Sequence, residues 1–321
     1  MPHITLNPEN RAAWLALRTL DVTSTESAAL FGLSPYITQF ELWHRKHDKI
    51  AVELEPTERM EWGTDLQDSI ASSLARRYGV TIRKATEYCR TEESRMGASF
   101  DFEITGIADK LPDDMLLMSM FAEHGPALLE IKNVDRLVFR DQWQTNEASE
   151  IEAPGHIEIQ VQHQLHVKDR AWAAIGVLVG GNTGRILVRR RDLEVGASLE
   201  SRIIEFWKSV DDGIEPAPQF PGDAAFVTKL YGYAEPNKVF DGRGNPELVE
   251  FAQAYCAAAD AEKMAKEDKD VAKAKLLQTI GDAERAYLDG YTISAATVGP
   301  AHVEYDRAGY RGWRLTKGRA K

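Results

Sequence analysis

The chain has 321 residues, 43% hydrophobic and 28% charged, the balance of an ordinary globular protein, which excludes collagen-like, mucin-like and disulfide-framework classes. Its net charge of −11, from 39 basic against 50 acidic residues, argues against tight nonspecific coating of a polyanion, though a local basic groove can still act on a phosphate. Only Cys89 and Cys256 are present, too few for a cysteine-based metal cluster and expected as free thiols; with no leader-like start and no apolar run near the ~18 residues a membrane span needs, a cytosolic protein is expected.

In chain order, residues 7–20 read as a helix capped by Asn7 with Pro8 at its first position. Residues 21–27 make a turn whose hydroxyls cap a second helix over 25–31, stopped by Gly32. Thr38 caps another, carrying Phe40, Leu42 and Trp43, and a long helix over 60–78 ends at Gly79. Strands follow over 80–85, 95–100, 102–108 and 127–131, and the apolar Met-Leu-Leu-Met-Ser-Met-Phe run at 115–121 is left unassigned. A helix over 157–167 and strands over 171–179 and 185–191 complete a mixed α/β core, closed by a helix over 199–210. Pro216, Pro218 and Pro221 open a linker-like stretch, so the chain divides into residues 1–220 and a helical region, 221–321. The Ala, Lys and Glu content over 247–288 gives one or two long helices, hinged near Asp268–Asp270 if two, and a short strand-like tail over 301–316 follows. Basic residues gather at Arg185, Arg189, Arg190 and Arg191, and at Arg307, Arg311, Arg314, Lys317, Arg319 and Lys321.

Chemistry concentrates in two strand segments, Ala98-Ser99-Phe100-Asp101 and Leu128-Leu129-Glu130-Ile131-Lys132. Side chains alternate along a strand, so Glu130 and Lys132 share one face and Ile131 takes the other. Two carboxylates and an ammonium are what a divalent-cation site beside a water-activating lysine requires. Hard oxygen ligands without a histidine cluster favour magnesium or manganese over zinc, and such ions polarise phosphates. The pattern points to phosphodiester hydrolysis.

Several motifs in order then resemble the phage lambda exonuclease and YqaJ-type viral recombinase group of the PD-(D/E)xK nuclease superfamily. Trp14, Arg18 and Val22-Thr23-Ser24-Thr25-Glu26 are similar to its Trp–Arg–Thr-Ala-Ser start, followed by Gly32-Leu33-Ser34-Pro35-Tyr36 and Phe40-Glu41-Leu42-Trp43. Gly63 and its helix, Ala98 to Asp101, Glu130-Ile131-Lys132 and the glutamine-rich Gln160-Val161-Gln162-His163-Gln164-Leu165 continue the series. The resemblance covers roughly residues 11–210.

It implies a restriction-endonuclease-like core with a C-terminal helical extension, and a metal-dependent exonuclease that resects duplex DNA ends 5′ to 3′ to leave a 3′ single strand for annealing. Asp101, Glu130 and the Ile131 carbonyl would ligate two Mg²⁺ or Mn²⁺ ions, Lys132 would orient or deprotonate the water, and Gln162, with Gln160 second, would hold the scissile region. Arg18 and Thr25 would form a 5′-phosphate pocket; His163 is expected as a packed or surface residue rather than a ligand. Implied partners are DNA ends, a single-strand annealing protein and further copies of the chain in a ring, such as a trimer, in the cytoplasm of a bacterium carrying the phage or prophage. Two departures stand out. The helix acid expected four residues after Gly63 is Gln67, leaving Asp68 as a substitute, and Asp109 rivals Asp101. The competing functions are an endonuclease or repair nuclease of different polarity and a non-catalytic DNA-binding relic.

Overall fold

Asn10, not Asn7, starts the first helix of the computed structural model: its side chain accepts from the Ala13 N–H at 2.9 Å, while residues 4–6 are drawn into a strand instead. The structure describes residues 3–48, 57–108, 115–146, 150–302, 304, 311–313 and 315. The helices are α1 (Arg11–Leu20), α2 (Gln39–His47), α3 (Glu58–Tyr78), α4 (Met115–His124), α5 (Arg136–Gln142), α6 (Gly155–Lys168), α7 (Leu193–Asp211), α8 (Ala224–Leu230) and α9 (Pro246–Ile280). The strands are β1 (Ile4–Leu6), β2 (Val22–Thr23), β3 (Val80–Lys84), β4 (Tyr88–Thr91), β5 (Met96–Ser99), β6 (Phe102–Ile107), β7 (Ala127–Val134), β8 (Gln144–Thr145), β9 (Ile151–Glu152), β10 (Trp172–Val179), β11 (Thr183–Arg190), β12 (Arg285–Leu288) and β13 (Tyr291–Ser294).

Thr38 and Thr57 cap α2 and α3 with their hydroxyls, and Gly79 closes α3 in the left-handed region that a Cβ disfavours. The segment after the first turn is a 3₁₀ helix, Ser27–Phe31, ended by Gly32. The unassigned Met-Leu-Leu-Met run is helical, as α4, and buries Leu117 and Met120.

The chain divides into two compact units, Met1–Phe226 and Val227–Lys321. In the first, a mixed sheet runs β11-β10-β7-β6-β3, with β10 parallel to β7 and its other neighbours antiparallel. A smaller sheet runs β1-β4-β5-β2. Alternation along β7 splits the core. Leu129 and Ile131 pack with Ile70 and Leu74 of α3, whereas Leu128 packs with Val161 and Leu165 of α6. The result is a mixed α/β fold with a helix-flanked sheet, which sets a different helix against each face of the Glu-x-Lys strand.

In the second unit α9 runs unbroken for 35 residues, capped by Asn245, with Pro246 at its first position. No glycine or proline interrupts it at 268–270, so no hinge forms there. It stops at Ile280 rather than continuing to 288, where Asp289-Gly290 turns β12 into β13 as a hairpin. Of the expected tail over 301–316 and its basic cluster, Arg307, Arg314, Lys317, Arg319 and Lys321 lie outside the described residues. Among the described residues no helix is long and apolar enough to cross a membrane.

Candidate active site

Asp101 sits in the bend between β5 and β6, and pairing of β6 with β7 stops at Phe102–Leu129. The backbone of Ile131 is thereby released from that ladder, and its N–H donates to the Asp101 carboxylate at 2.7 Å. In an extended strand a residue's C=O leaves on the same edge as its N–H, so the Ile131 carbonyl faces the Asp101 side as well. Gln67, on α3, lies near enough to Asp101 to favour its ionised form.

Glu130, on the opposite face of β7, is buried and receives three donors. Lys132 Nζ and Gln160 Nε2 each reach its Oε1 at 2.7 Å, and Gln164 Nε2 reaches its Oε2 at 2.9 Å. Gln160 Oε1 accepts from Lys132 at 3.1 Å. One turn of α6 thus supplies two amides, at i and i+4, to one carboxylate. Burial, then the neighbouring Glu130 charge, raises the Asp101 pKa well above the usual carboxylate range. Burial opposes the Lys132 charge, but Glu130 and Asp101 outweigh it and raise the lysine's pKa, keeping it an ammonium.

Asp101, Glu130, Ile131 and Lys132 line a cleft of ≈ 1350 Å³ that also holds Arg18, Thr25, Glu26, Lys46 and Gln67. Arg18 donates to Thr25 Oγ1 at 3.3 Å. Behind them Lys46 is buried, 5% exposed, donating to Glu26 at 2.8 Å and to the Arg18 carbonyl at 2.7 Å. Burial would raise the Glu26 pKa, but the Lys46 and Arg18 charges hold it down at about 2. The cleft therefore carries an anchored arginine at one part of its wall and paired carboxylates at another.

Asp101, Glu130, Lys132, Gln160, Arg18 and Thr25 are thus brought together. Gln162 is not: it lies half a turn from the Gln160–Gln164 face, and its amide instead joins the Arg190 carbonyl at 2.8 Å and the Asp192 N–H at 2.9 Å. Asp68 is exposed and paired with Lys84 at 2.6 Å, away from Asp101, so it does not replace the helix acid. Asp109 lies outside the described residues. His163 is fully buried, bonding the Gly97 carbonyl at 3.1 Å. In the first basic run Arg189 is neutralised by Glu158 and Arg191 by Asp169. Sequence reasoning missed Gln164 as a Glu130 partner, although its spacing from Gln160 carries the signal. It also missed Lys46, although Trp43 and Leu42, three and four residues before it on α2, mark a buried face.

The oxygen donors suit a hard divalent cation. A carboxylate offers about four acceptor positions; three on Glu130 are used internally, leaving one, and Asp101 keeps positions beyond the one taken by the Ile131 N–H. Among the described residues no cluster of three or more histidine, cysteine or acidic side chains forms, so main-chain oxygen and water would complete a shell.

The family model described as the YqaJ-like viral recombinase domain matches residues 13–171. That stretch is similar to a YqaJ-like viral recombinase domain. The match runs from the Trp14 turn of α1 through α6 and contains Asp101, Glu130, Lys132, Gln160 and Gln164. The uncharacterized protein YqaJ of Bacillus subtilis (strain 168) is 27% identical over 237 residues, covering 72% of this chain and 67% of that protein. Among solved structures, an alkaline exonuclease (LHK-Exo) from Laribacter hongkongensis is similar with a TM-score of 0.47 at 16% identity, covering 68% of this chain and 99% of its own. A phage-related exonuclease from Haemophilus somnus 129PT aligns with a TM-score of 0.43 at 16% identity, covering 63% and 98%.

Proposed function

We propose that this YqaJ-like domain is a metal-dependent DNA exonuclease that degrades one strand from a duplex end, 5′ to 3′, and leaves a 3′ single strand for annealing. The observation that supports it most is the convergence of Asp101, Glu130 and Lys132 at one end of the sheet, with a separate Arg18–Thr25 pair in the same cleft. Asp101, Glu130 and the Ile131 carbonyl would hold Mg²⁺ or Mn²⁺, two ions in the full reading. Bound there, the cation would polarise the phosphate and ease ionisation of water.

The chain's own groups account for the remainder. Lys132, fixed by Glu130 and Gln160 and held as an ammonium, orients the attacking water, whose proton passes to solvent. The water oxygen bonds to phosphorus as the bond to the 3′ oxygen breaks, and that oxygen takes up a proton. Arg18, on the carbonyl that Lys46 fixes, meets the charge of a terminal 5′-phosphate while Thr25 offers a hydroxyl. Gln160 and Gln164 keep the Glu130 carboxylate from rotating. A single-strand annealing protein and a ring of copies of this chain, in the host bacterium's cytoplasm, complete the reading carried from the resemblance.

The test is digestion of a linear duplex bearing one 5′-phosphate and one 5′-hydroxyl end, with Mg²⁺. Expected is loss of the phosphorylated strand, abolished by EDTA and reduced at least a hundredfold in Lys132→Ala. Cleavage of closed circles at the same rate would favour an endonuclease, and no cleavage of linear, single-stranded or circular DNA would remove the enzymatic reading.

A further inference from the structure

Trp14 links Arg18, on the cleft wall, to Ser99, two residues before Asp101. Its ring lies under the Arg18 guanidinium, 4.6 Å from centroid to Cζ, one helical turn earlier on α1. Its indole N–H donates to Ser99 Oγ at 2.8 Å, across 85 residues of sequence. Ser99 ends β5, two residues before Asp101, and its carbonyl accepts from Gln164 at 3.1 Å. That same Gln164 amide donates to Glu130. A continuous line of polar contacts therefore leads from the arginine that faces a terminal phosphate to the strand end holding one carboxylate and the amide holding the other.

The alternative role for Trp14 is packing of α1 alone. Two features speak against it: the side chain is only half-buried, and it spends its single donor on the Ser99 hydroxyl beside Asp101's strand rather than on its own helix or solvent. A cation on an indole face is also a geometry that a phosphate can perturb, because drawing Arg18 toward an anion weakens its hold on the ring.

We propose that Trp14 is a positioning residue that couples occupancy of the Arg18–Thr25 anion pocket to placement of Asp101 and Glu130. A terminal phosphate thereby sets the rate of cleavage and not only the affinity for the end. This rests on the exonuclease reading above.

Trp14→Phe keeps an aromatic platform for Arg18 and removes the donor; Ser99→Ala removes the acceptor from the other side. Turnover and KM are measured for each variant and the double variant on duplexes with phosphorylated and hydroxyl 5′ ends, with thermal midpoints recorded to exclude unfolding. Expected is a fall of about fivefold in the kcat ratio between the two ends, the size of one lost hydrogen bond, with KM for phosphorylated ends within about twofold of wild type. The double variant is expected to be no worse than either single one, because both cut the same link. An unchanged kcat ratio, equal losses on both ends, or additive losses would overturn the proposal. Cleavage by the wild type with no preference between ends would overturn it while leaving the nuclease reading intact; absence of all cleavage by the wild type removes both. As a readout without turnover, indole fluorescence is expected to respond to a 5′-phosphorylated duplex more than to a hydroxyl one in Ser99→Ala less than in the wild type; an equal response in both proteins would count against the link.

Discussion

At the scale of single residues, the site is an exercise in holding like charges together. Asp101 and Glu130 repel, and Lys132, Gln160, Gln164, Gln67 and the Ile131 N–H compensate. Gln67→Glu would bring a third carboxylate beside Asp101 and Glu130. The expected result is a lower thermal midpoint without metal and a larger upward shift on adding Mn²⁺ than in the wild type, because the added charge is relieved only by a cation. Differential scanning fluorimetry across a Mn²⁺ series reads both. His163 gives a pH prediction. Burial lowers its pKa from 6.5 to about 3, so across that window the unfolded chain binds a proton that the folded one refuses. Its contribution is whole above pH 6.5 and is lost as the pH falls toward 3. Unfolding free energies from denaturant titrations at pH 7 and 4 should differ by on the order of 3 kcal/mol from this group, and His163→Gln should flatten that part of the acid limb.

At the scale of elements, β7 and its neighbours do the positioning. Gly176 on β10 stands beside Ile131, and a Cβ there would come within 2.9 Å of Leu74 Cδ1 and 3.0 Å of Ile131 Cδ1. Gly176→Ala is therefore expected to cost about 1–3 kcal/mol and to move the backbone that Asp101 grips, lowering cleavage more than an equally destabilising change in α7. Chemical denaturation and a cleavage assay on the same samples separate the two effects. Much of this layer is readable from the sequence. Thr38, Gly32 and Gly79 mark helix ends through local chemistry, and the alternation of Leu129, Glu130, Ile131 and Lys132 assigns each residue to its face. The glutamines divide differently: motif order draws attention to Gln162, whereas helical periodicity with Gln160 selects Gln164, and the packing of α6 obeys periodicity. Asn7 and Asn10 offer equivalent caps, and only pairing of β1 with β4 decides between them. The 115–121 run has no helical stripe because it is apolar all round, so its type rests on tertiary packing.

At the scale of the whole molecule, two units of different character share a chain. The first buries a conventional core, while α9 in the second buries no residue along its length and exposes Phe251 and Met264 by 59% and 65%. Its amides are expected to exchange with solvent orders of magnitude faster than those of β7 and β10 at low protein concentration, since only local bonds protect them. If copies assemble through this region, protection of 246–280 should rise with concentration. Hydrogen exchange followed by mass spectrometry at two concentrations reads both outcomes. The acidic total, −11, agrees with a cleft that places few cations well rather than many broadly.

The three-donor grip on Glu130 decides how a stalled complex should be engineered. Glu130→Gln would turn an amide N–H₂ toward groups that already donate, and Lys132→Met would strand the Gln160 carbonyl, so either disturbs the architecture whose inactive form is wanted. Asp101→Asn is gentler: the amide can rotate its oxygen onto the Ile131 N–H and its nitrogen away, preserving the anchor while discarding a charge. That variant is the one to mix with a DNA end for crystallography, because a complex trapped in it reports the undisturbed scaffold.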